Sequence, residues 1–403
     1  MPGDPTAAAV FYHYFPPDDV VSAVHFGDLS AGLVQRGWHV TAYPCIWGCR
    51  DESNRYPRSG EYRGVKVRRF WRPRFRQSGT GRMLNAIWMV ARWSCLALRK
   101  SSRPNVLIIG TDPVLSIVTA RIWNSLSPRT KIVHWCFDLY PEAAIAEGLL
   151  DPGGLFARAL SGLVRPAYAL CAAIADMGPC MRQLLERYPS GACRITLVPW
   201  ALDEPQGPLA THPDERQSIF GSPHLALLYS GSFGRAHSSD EILDLAARLR
   251  PHDIRFAFSV RGNRVSELRA AVDQRKLDIP FVSFASVERL TARLACPDVH
   301  VVSLREEWTG MVVPSKFFGA LSAGRPVLFA GSSASSIAQW IEKFGVGWVL
   351  TRENLDEVAK LLVDYADQPA AQEAMRRHCF DTYRTHFSRE VQIDQWDRLL
   401  RSL

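Results

Sequence analysis

The sequence has no charge-free apolar run approaching the roughly 18 residues that a membrane-spanning helix needs. The longest candidate, Ala86 to Leu98, is too short and contains Arg92. A leader-like start is also missing, because MPGDPTAAAV runs straight into a strand-like stretch without a basic segment and apolar core. No secretory signal is therefore expected. Cysteine is sparse, nine in 403 residues, and the odd, scattered set does not describe a disulfide framework. Cys45 and Cys49 lie close together but no second pair at ligand spacing follows, so they read as ordinary thiols and no metal is expected. Free thiols fit a cytoplasmic location.

Acid is missing from one long stretch. Between Arg63 and Arg103 stand twelve basic residues and no Asp or Glu, with Phe70, Trp71, Phe75, Trp88 and Trp93 interleaved. Such a field attracts a phospholipid surface, a lipid diphosphate or nucleic acid, or it is simply a solvated basic face. Nothing resembles a nucleic-acid-binding module, so nucleic acid is not expected as a partner. Peripheral contact with an anionic membrane through residues 63–103, at the inner face, is the expectation.

What is present is ordinary globular composition, 47% hydrophobic and 22% charged, in a chain long enough for two domains. Ala8 to Phe15 reads as a strand, broken by PPDD at Pro16 to Asp19. A helical pattern through Phe26, Leu29, Leu33 and Val34 ends at Gly37, and His39 to Tyr43 is a second strand. Further strands are expected at Val65 to Phe70, Asn105 to Gly110, Lys131 to Phe137, Ala172 to Met177 and Cys193 to Val198. Helices are expected from about Arg82 to Arg99 and from Met181 to Arg187. The proline-rich stretch Pro199 to Pro223 has little periodicity and reads as the domain boundary. A second alternation follows, with strands at His224 to Tyr229, Arg255 to Val260, Pro280 to Phe284, Val299 to Leu304, Pro326 to Ala330 and Gly347 to Leu350. Its helices fall at Asp240 to Leu249, Val265 to Val272, Lys316 to Ser322, Ser335 to Phe344 and Leu355 to Tyr365, before an amphipathic helical tail. The fold class is α/β, two Rossmann-like parallel-sheet domains facing a cleft. The expected division is 1–204, 205–385, and a C-terminal helix at 386–403 packing back on the first domain.

Several loops carry residues suited to chemistry. LYSGSFGRAH, Leu228 to His237, sets Gly231, Ser232 and Gly234 after a strand and before a helix that Ser238 or Ser239 could cap. Glycines allow close backbone approach and helix-start N–H groups can receive phosphate, with Arg235 adding a bidentate cation. The bland alternative is a plain turn. In VVPSKFFGALSAGRPV, Pro314 fixes a turn, Ser315 can cap the next helix, and Lys316 sits in its first turn. A cation there opposes the helix dipole and is best compensated by a bound anion, although a solvated lysine is the other reading. Arg261 and Arg264 follow the strand FAFSV in a further ligand loop. In the first half, HWCFDLYPE places His134, Asp138 and Glu142 where a buried strand runs into a loop. Asp138 could orient or deprotonate an acceptor hydroxyl, or cap backbone locally. Glu142 could sit in a helix first turn, and His134 could be a core histidine. His13 reads as a strand residue and His25 as a helix residue. Asp112, with Thr111 in IIGTDP, is an acceptor-pocket candidate or a helix cap.

LYSGSFGRAH, FVSFASVERL, VVPSKFFGALSAGRPVLFA and GVGWVL, in this order, resemble the C-terminal domain of retaining GT-B glycosyltransferases of the GT4 type. The likeness is to the bacterial surface-polysaccharide branch with a PSK signature. PPDD and HWCFDLYPEAAIAEGLL resemble that branch's N-terminal domain. The resemblance implies a hexosyltransferase-type enzyme with a nucleoside diphosphate sugar donor, UDP-sugar favoured over GDP-sugar, bound mainly by the second domain. It implies an acceptor, lipid-linked in a polysaccharide pathway, bound mainly by the first domain, and no required metal or cofactor. Arg235 and Lys316 match positions near the donor diphosphate, Gly231 and Gly234 the loop approaching it, and Ser283 to Val287 the segment receiving the base. The family's glutamate pair would fall at Met311 and Gly319, neither acidic, with Glu306 and Glu307 as nearby substitutes. Ser336 stands where an acid is often seen, and Val20, Val21 and Ser22 replace an early glycine-rich loop. A soluble natural-product acceptor, a sugar-nucleotide epimerase and a non-catalytic nucleotide-sugar binder remain competing readings.

Overall fold

Strands β1 (Ala7–Phe11), β2 (His39–Ala42), β3 (Ser59–Tyr62), β4 (Val65–Arg68), β5 (Val106–Gly110), β6 (Lys131–Trp135), β7 (Ala173–Asp176) and β8 (Cys193–Thr196) form the first sheet, in the order β3-β4-β2-β1-β5-β6-β7-β8. All neighbours are parallel except the β3–β4 pair. The computed structural model describes residues 6–75, 79–100, 103–188, 191–286 and 289–403; Val287 lies outside them, as does Arg76 of the basic stretch. The chain divides into two units, Met1–Val198 with Gln392–Leu403, and Pro199–Val391.

In the first unit the connecting helices are α1 (Val21–Gln35), α2 (Gly79–Leu96), α3 (Thr119–Leu126), α4 (Glu142–Ala146), α5 (Leu155–Ala169) and α6 (Pro179–Leu185). Strand β5, VLIIG, is buried along its whole length, as a parallel strand covered on both faces should be. Gly110 ends it because a Cβ there would meet Tyr12 and Phe26 at 2.4 Å, and those rings stack with centroids 4.1 Å apart. Neighbours run outward from β1 in two directions, to β2 on one side and β5 on the other. The loops after β1 and β5 therefore part above a crevice, the place where open α/β sheets bind ligands.

The first unit is completed by the end of the chain's last helix (Arg389–Ser402). Trp396 is fully buried, edge-on to Trp135 at 5.2 Å, and Ile393 fills the space a side chain on Gly32 would take. Asp394 accepts from Arg36 and Asp397 from Trp38, while Gln392 accepts from the Val198 amide. Trp396→Ala should cost about 3–5 kcal/mol by removing a large buried ring, read as a lower midpoint in chemical denaturation with circular dichroism.

The second unit has a five-stranded, all-parallel sheet of β9 (Leu225–Ser232), β10 (Ile254–Arg261), β11 (Val299–Ser303), β12 (Val327–Ala330) and β13 (Gly347–Leu350), ordered β10-β9-β11-β12-β13. Its helices are α7 (Pro213–Phe220), α8 (Asp240–Leu249), α9 (Val265–Gln274), α10 (Leu290–Ala295), α11 (Lys316–Ser322), α12 (Ser336–Phe344), α13 (Leu355–Ala366) and α14 (Pro369–His386). Leu227, Tyr229, Phe256, Phe258, Val301 and Leu328 centre the core. Its crevice opens between β9 and β11, where the strand order again departs in two directions.

Several sequence expectations need correction. The first strand stops at Phe11 rather than Phe15, because Tyr12 to Phe15 belong to the crevice loop, and His13 is therefore not a strand residue. The strand at Val65 ends at Arg68, and α2 covers 79–96 rather than 82–99. Pro199 to Pro223 is not without regular structure: Pro213 opens α7 at a position where a proline loses no helical bond, and His212 caps it. Pro280 to Phe284 is no strand; a single bridge joins Phe281 to Phe258. Helix α5, for which there is no sequence expectation, runs through Pro166. The tail is two helices, with Phe387 and Ser388 between them.

Candidate active site

In the second unit, β9 ends in Gly231 and Ser232, and Gly231 adopts φ +133°, a backbone region that suits glycine. A Cβ on Gly231 would lie 2.4 Å from Cε of Lys316, so the missing side chain lets the lysine stem cross the end of β9. The Lys316 ammonium stands 5.1 Å above the Tyr229 ring and donates to His237 Nε2 at 3.3 Å. His237 Nδ1 donates to the Ser303 carbonyl at 2.7 Å. A carbonyl can only accept, so the proton sits on Nδ1 and Nε2 is left as an acceptor for the lysine. Burial first, and then the Lys316 charge, push His237 down to about 3, keeping the ring neutral. Burial pushes Lys316 down to about 7. No acid occupies the first turn of α11, so the lysine charge faces the crevice without a carboxylate on its own helix turn.

Other residues of this group fall around it. Arg235 is exposed on the turn between Gly231 and His237, and Gly234 accepts from the His237 amide. Arg264 donates to the His237 carbonyl at 3.1 Å, and Asn263 stands beside Gly234. Arg261 covers the Phe284 ring at 4.1 Å, and the exposed Ser283 offers its carbonyl to Ser259 and Arg293. Pro314 is buried ahead of α11. Ser315 occupies the N-cap position without a side-chain cap bond, and neither Ser238 nor Ser239 caps α8: Ser239 makes no cap bond and Ser238 donates to Glu241. Asp240 and Glu241 already offset the α8 dipole, so positive potential here comes from Lys316 and the arginines rather than from that helix start. Glu306 and Glu307 form an exposed turn after β11, and Ser336 is buried in the first turn of α12.

In the first unit the crevice loops join directly. The His13 amide donates to the Asp112 carbonyl at 3.1 Å, and His13 Nδ1 lies 3.3 Å from the Asp112 carboxylate. Arg72 Nε donates to His13 Nε2 at 3.0 Å, leaving Nδ1 as the imidazole donor, and Arg72 is itself held by Glu52 at 2.7 Å. Thr111 is not a helix cap: its hydroxyl accepts from the Phe137 and Asp138 amides and so fixes the loop after β6. Burial, with the Asp112 charge adding to it, pushes the Asp138 carboxyl up to about 6. A small pocket is lined by Thr111, Ser116, His134, Asp138, Tyr140 and Tyr168. His134 donates from Nδ1 to the Ile109 carbonyl at 2.9 Å, and burial pushes it down to about 4. It is a neutral wall of the pocket whose Nε2 can accept. Glu142 does begin α4, but its carboxylate accepts from Tyr188 and does not line this pocket. His25 is buried in α1 near Phe137.

The sequence points to Lys316, Gly231, Asp112 and Asp138, but not to His237, nor to Arg72 as the partner of His13 rather than one cation of the basic stretch. His237 lies within the glycine-loop run, so its place in that run was the available signal. Nothing local marks Arg72, whose role depends on the pairing of distant loops. The nine cysteines are free. Among the described residues, no helix is long and apolar enough to cross a membrane.

Two parallel α/β units with ligand crevices at their switch points have the GT-B glycosyltransferase fold. Residues 22–201 match the family of glycosyl transferase 4-like domains. The chain is 23% identical over 305 residues to a Pseudomonas aeruginosa protein described as a probable glycosyltransferase, WbjE, covering 72% of this chain and 75% of that one. Its fold is similar to sucrose-phosphate synthase of Thermosynechococcus elongatus, with TM-score 0.71, 12% identity and 99% of each chain covered. It is also similar to Anabaena HepE, solved in complex with UDP, with TM-score 0.66, 12% identity and coverage of 99% and 100%. The family match and the WbjE alignment together support a glycosyltransferase.

Proposed function

We propose that the protein transfers a hexosyl group from a nucleoside diphosphate sugar, a UDP-sugar in preference to a GDP-sugar, to an acceptor hydroxyl with retention at the anomeric carbon. The observation carrying this reading is the Lys316 ammonium, held over the end of β9 by His237 and depressed to about 7 by burial. A desolvated cation with no acid beside it in its helix turn is suited to a diphosphate. Lys316, with Arg235 from the loop after β9, stabilises the charge that grows on the nucleoside diphosphate as its bond to the sugar breaks. Gly231, Ser232, Gly234, Pro314 and Ser315 shape that pocket, and Arg261 and the Ser283–Val287 segment receive the nucleoside. Asp138, with Asp112 and His134 nearby, orients the acceptor hydroxyl and takes up its hydrogen bond. HepE, whose fold this chain shares, was solved with UDP, which supports the choice of base. The acceptor is lipid-linked in surface-polysaccharide synthesis, at the cytoplasmic membrane face.

Screening nucleoside diphosphate sugars by thermal shift, then following nucleotide release with candidate acceptors, tests the reading. A UDP-sugar should raise the melting temperature and be consumed only when an acceptor is present. Conversion of the donor sugar into an epimer without acceptor would overturn it.

A further inference from the structure

The basic stretch of the first unit forms a pocket of about 250 Å³ lined by Arg58, Arg69, Phe70, Trp71, Trp88 and Arg92. Its three guanidinium groups have no carboxylate within ion-pair distance among the described residues. Arg69 is 92% buried (8% exposed) and donates from Nη2 to the Pro16 carbonyl at 2.6 Å, yet its buried Nε–H has no partner. Arg92 is stacked 4.8 Å above the Phe70 ring, and the Trp88 indole donates to the Trp71 carbonyl, setting the two indoles edge to face at 5.6 Å. The pocket is thus an aromatic-walled cup carrying positive charge.

Its surroundings indicate what fills it. Helix α2 buries Ala86, Met89 and Trp93 on one side, but its outer stripe is also apolar: Met83, Leu84, Ile87 and Trp88 are exposed, Ile87 at 50%. Trp71, on the rim, is 44% exposed. A soluble anion would account for the arginines but not for an exposed apolar stripe beside them. A bilayer surface answers both, with the stripe in the headgroup–acyl boundary and a phosphate in the cup.

From this juxtaposition we infer that the Arg58–Arg69–Arg92 cup is a phospholipid headgroup site, and that α2 lies on an anionic membrane with the cup clasping one lipid phosphate. This goes beyond general membrane contact by the basic stretch, and it is independent of the donor-site reading because it is measured by vesicle binding rather than sugar transfer. The test is co-sedimentation of the full chain with phosphatidylcholine vesicles, with and without phosphatidylglycerol. The double variant Arg58→Gln/Arg92→Gln changes pocket-lining side chains on the rim; Arg69→Met probes the buried donor, with circular dichroism reporting its folding. Arg99→Gln/Lys100→Gln removes the same charge from outside the cup. Wild type should bind the anionic vesicles, and the rim double variant should lose at least tenfold more binding than the Arg99/Lys100 variant. Equal losses in the two double variants would reduce the cup to diffuse charge and overturn the site. Binding of inorganic phosphate, by calorimetry, without vesicle binding would make it a soluble-anion pocket and overturn the bilayer assignment.

Discussion

Replacing Lys316 with Met should lower kcat/KM for sugar transfer by about 10²- to 10³-fold, the scale seen when one preorganised charge-stabilising group is removed. The protein itself should not suffer. Burial lowers Lys316 from its usual value to about 7, so between about pH 7 and 10 the unfolded chain binds the proton that the folded chain gives up. Stability then rises with pH across that window through this group, and Lys316→Met removes the dependence. An inactive variant that melts no lower than wild type at neutral pH would separate a charge effect from misfolding. The sign for donor binding is the opposite. The ammonium form holds the diphosphate, so donor affinity is highest below about pH 7. It weakens as pH rises from there to the higher pKa that the lysine acquires beside the bound anion. Lys316→Arg should flatten this slope, since arginine stays charged. Unaltered kinetics in Lys316→Met, measured as initial rates of nucleotide release, would remove the lysine from the reaction.

His237 extends the same argument. Its Nε2 is an acceptor only because Nδ1 is committed to the Ser303 carbonyl, and that arrangement aims the lysine over the end of β9. An asparagine or glutamine at 237 can offer an acceptor without the fixed tautomer. A smaller loss than in Lys316→Met would mark the histidine as a positioning residue.

How much of this was legible before the fold is clearest from pairs of residues. LYSGSFGRAH announces a strand end and a loop, and VVPSK a turn and a helix start. That Lys316 meets His237, 79 residues apart, follows only from β9 and β11 being neighbours, and sequence order does not state strand order. The same holds for His13 and Asp112, joined because β5 rather than β2 lies on that side of β1. Buried runs such as VLIIG were readable because continuous apolar β-branched stretches suit covered parallel strands. Prolines misled once, in the stretch Pro199 to Pro223. Pro213 stands in the first turn of α7, where a proline loses no helical bond, whereas a pattern reading treats clustered prolines as a break. The apparent strand at Pro280 to Phe284 shows the converse: aromatic composition was present, but only Phe281 found a bridge partner, in Phe258.

The second large effect is expected at Asp138, whose Asn variant should lose about 10²- to 10⁴-fold in kcat/KM if the carboxylate takes the acceptor hydroxyl's hydrogen bond in the transition state. The pH profile makes the assignment specific. Burial and then Asp112 raise the Asp138 carboxyl to about 6, so the reactive carboxylate should form as pH climbs through that value. Wild-type kcat/KM should show an acid limb near pH 6, rising toward neutrality, and Asp138→Asn should lack it. Asp112→Asn supplies the internal control, because removing a neighbouring negative charge makes ionisation easier and shifts the limb to lower pH. His13 and Arg72 are built to keep that neighbouring charge in place: Arg72 anchors the imidazole, and the imidazole faces the Asp112 carboxylate. Arg72→Met should therefore move the limb without abolishing it. A limb that stays near pH 6 in both the Asp112 and Asp138 variants would mean that some other group titrates there, and Asp138 would then be a loop residue held by Thr111 for the sake of the fold.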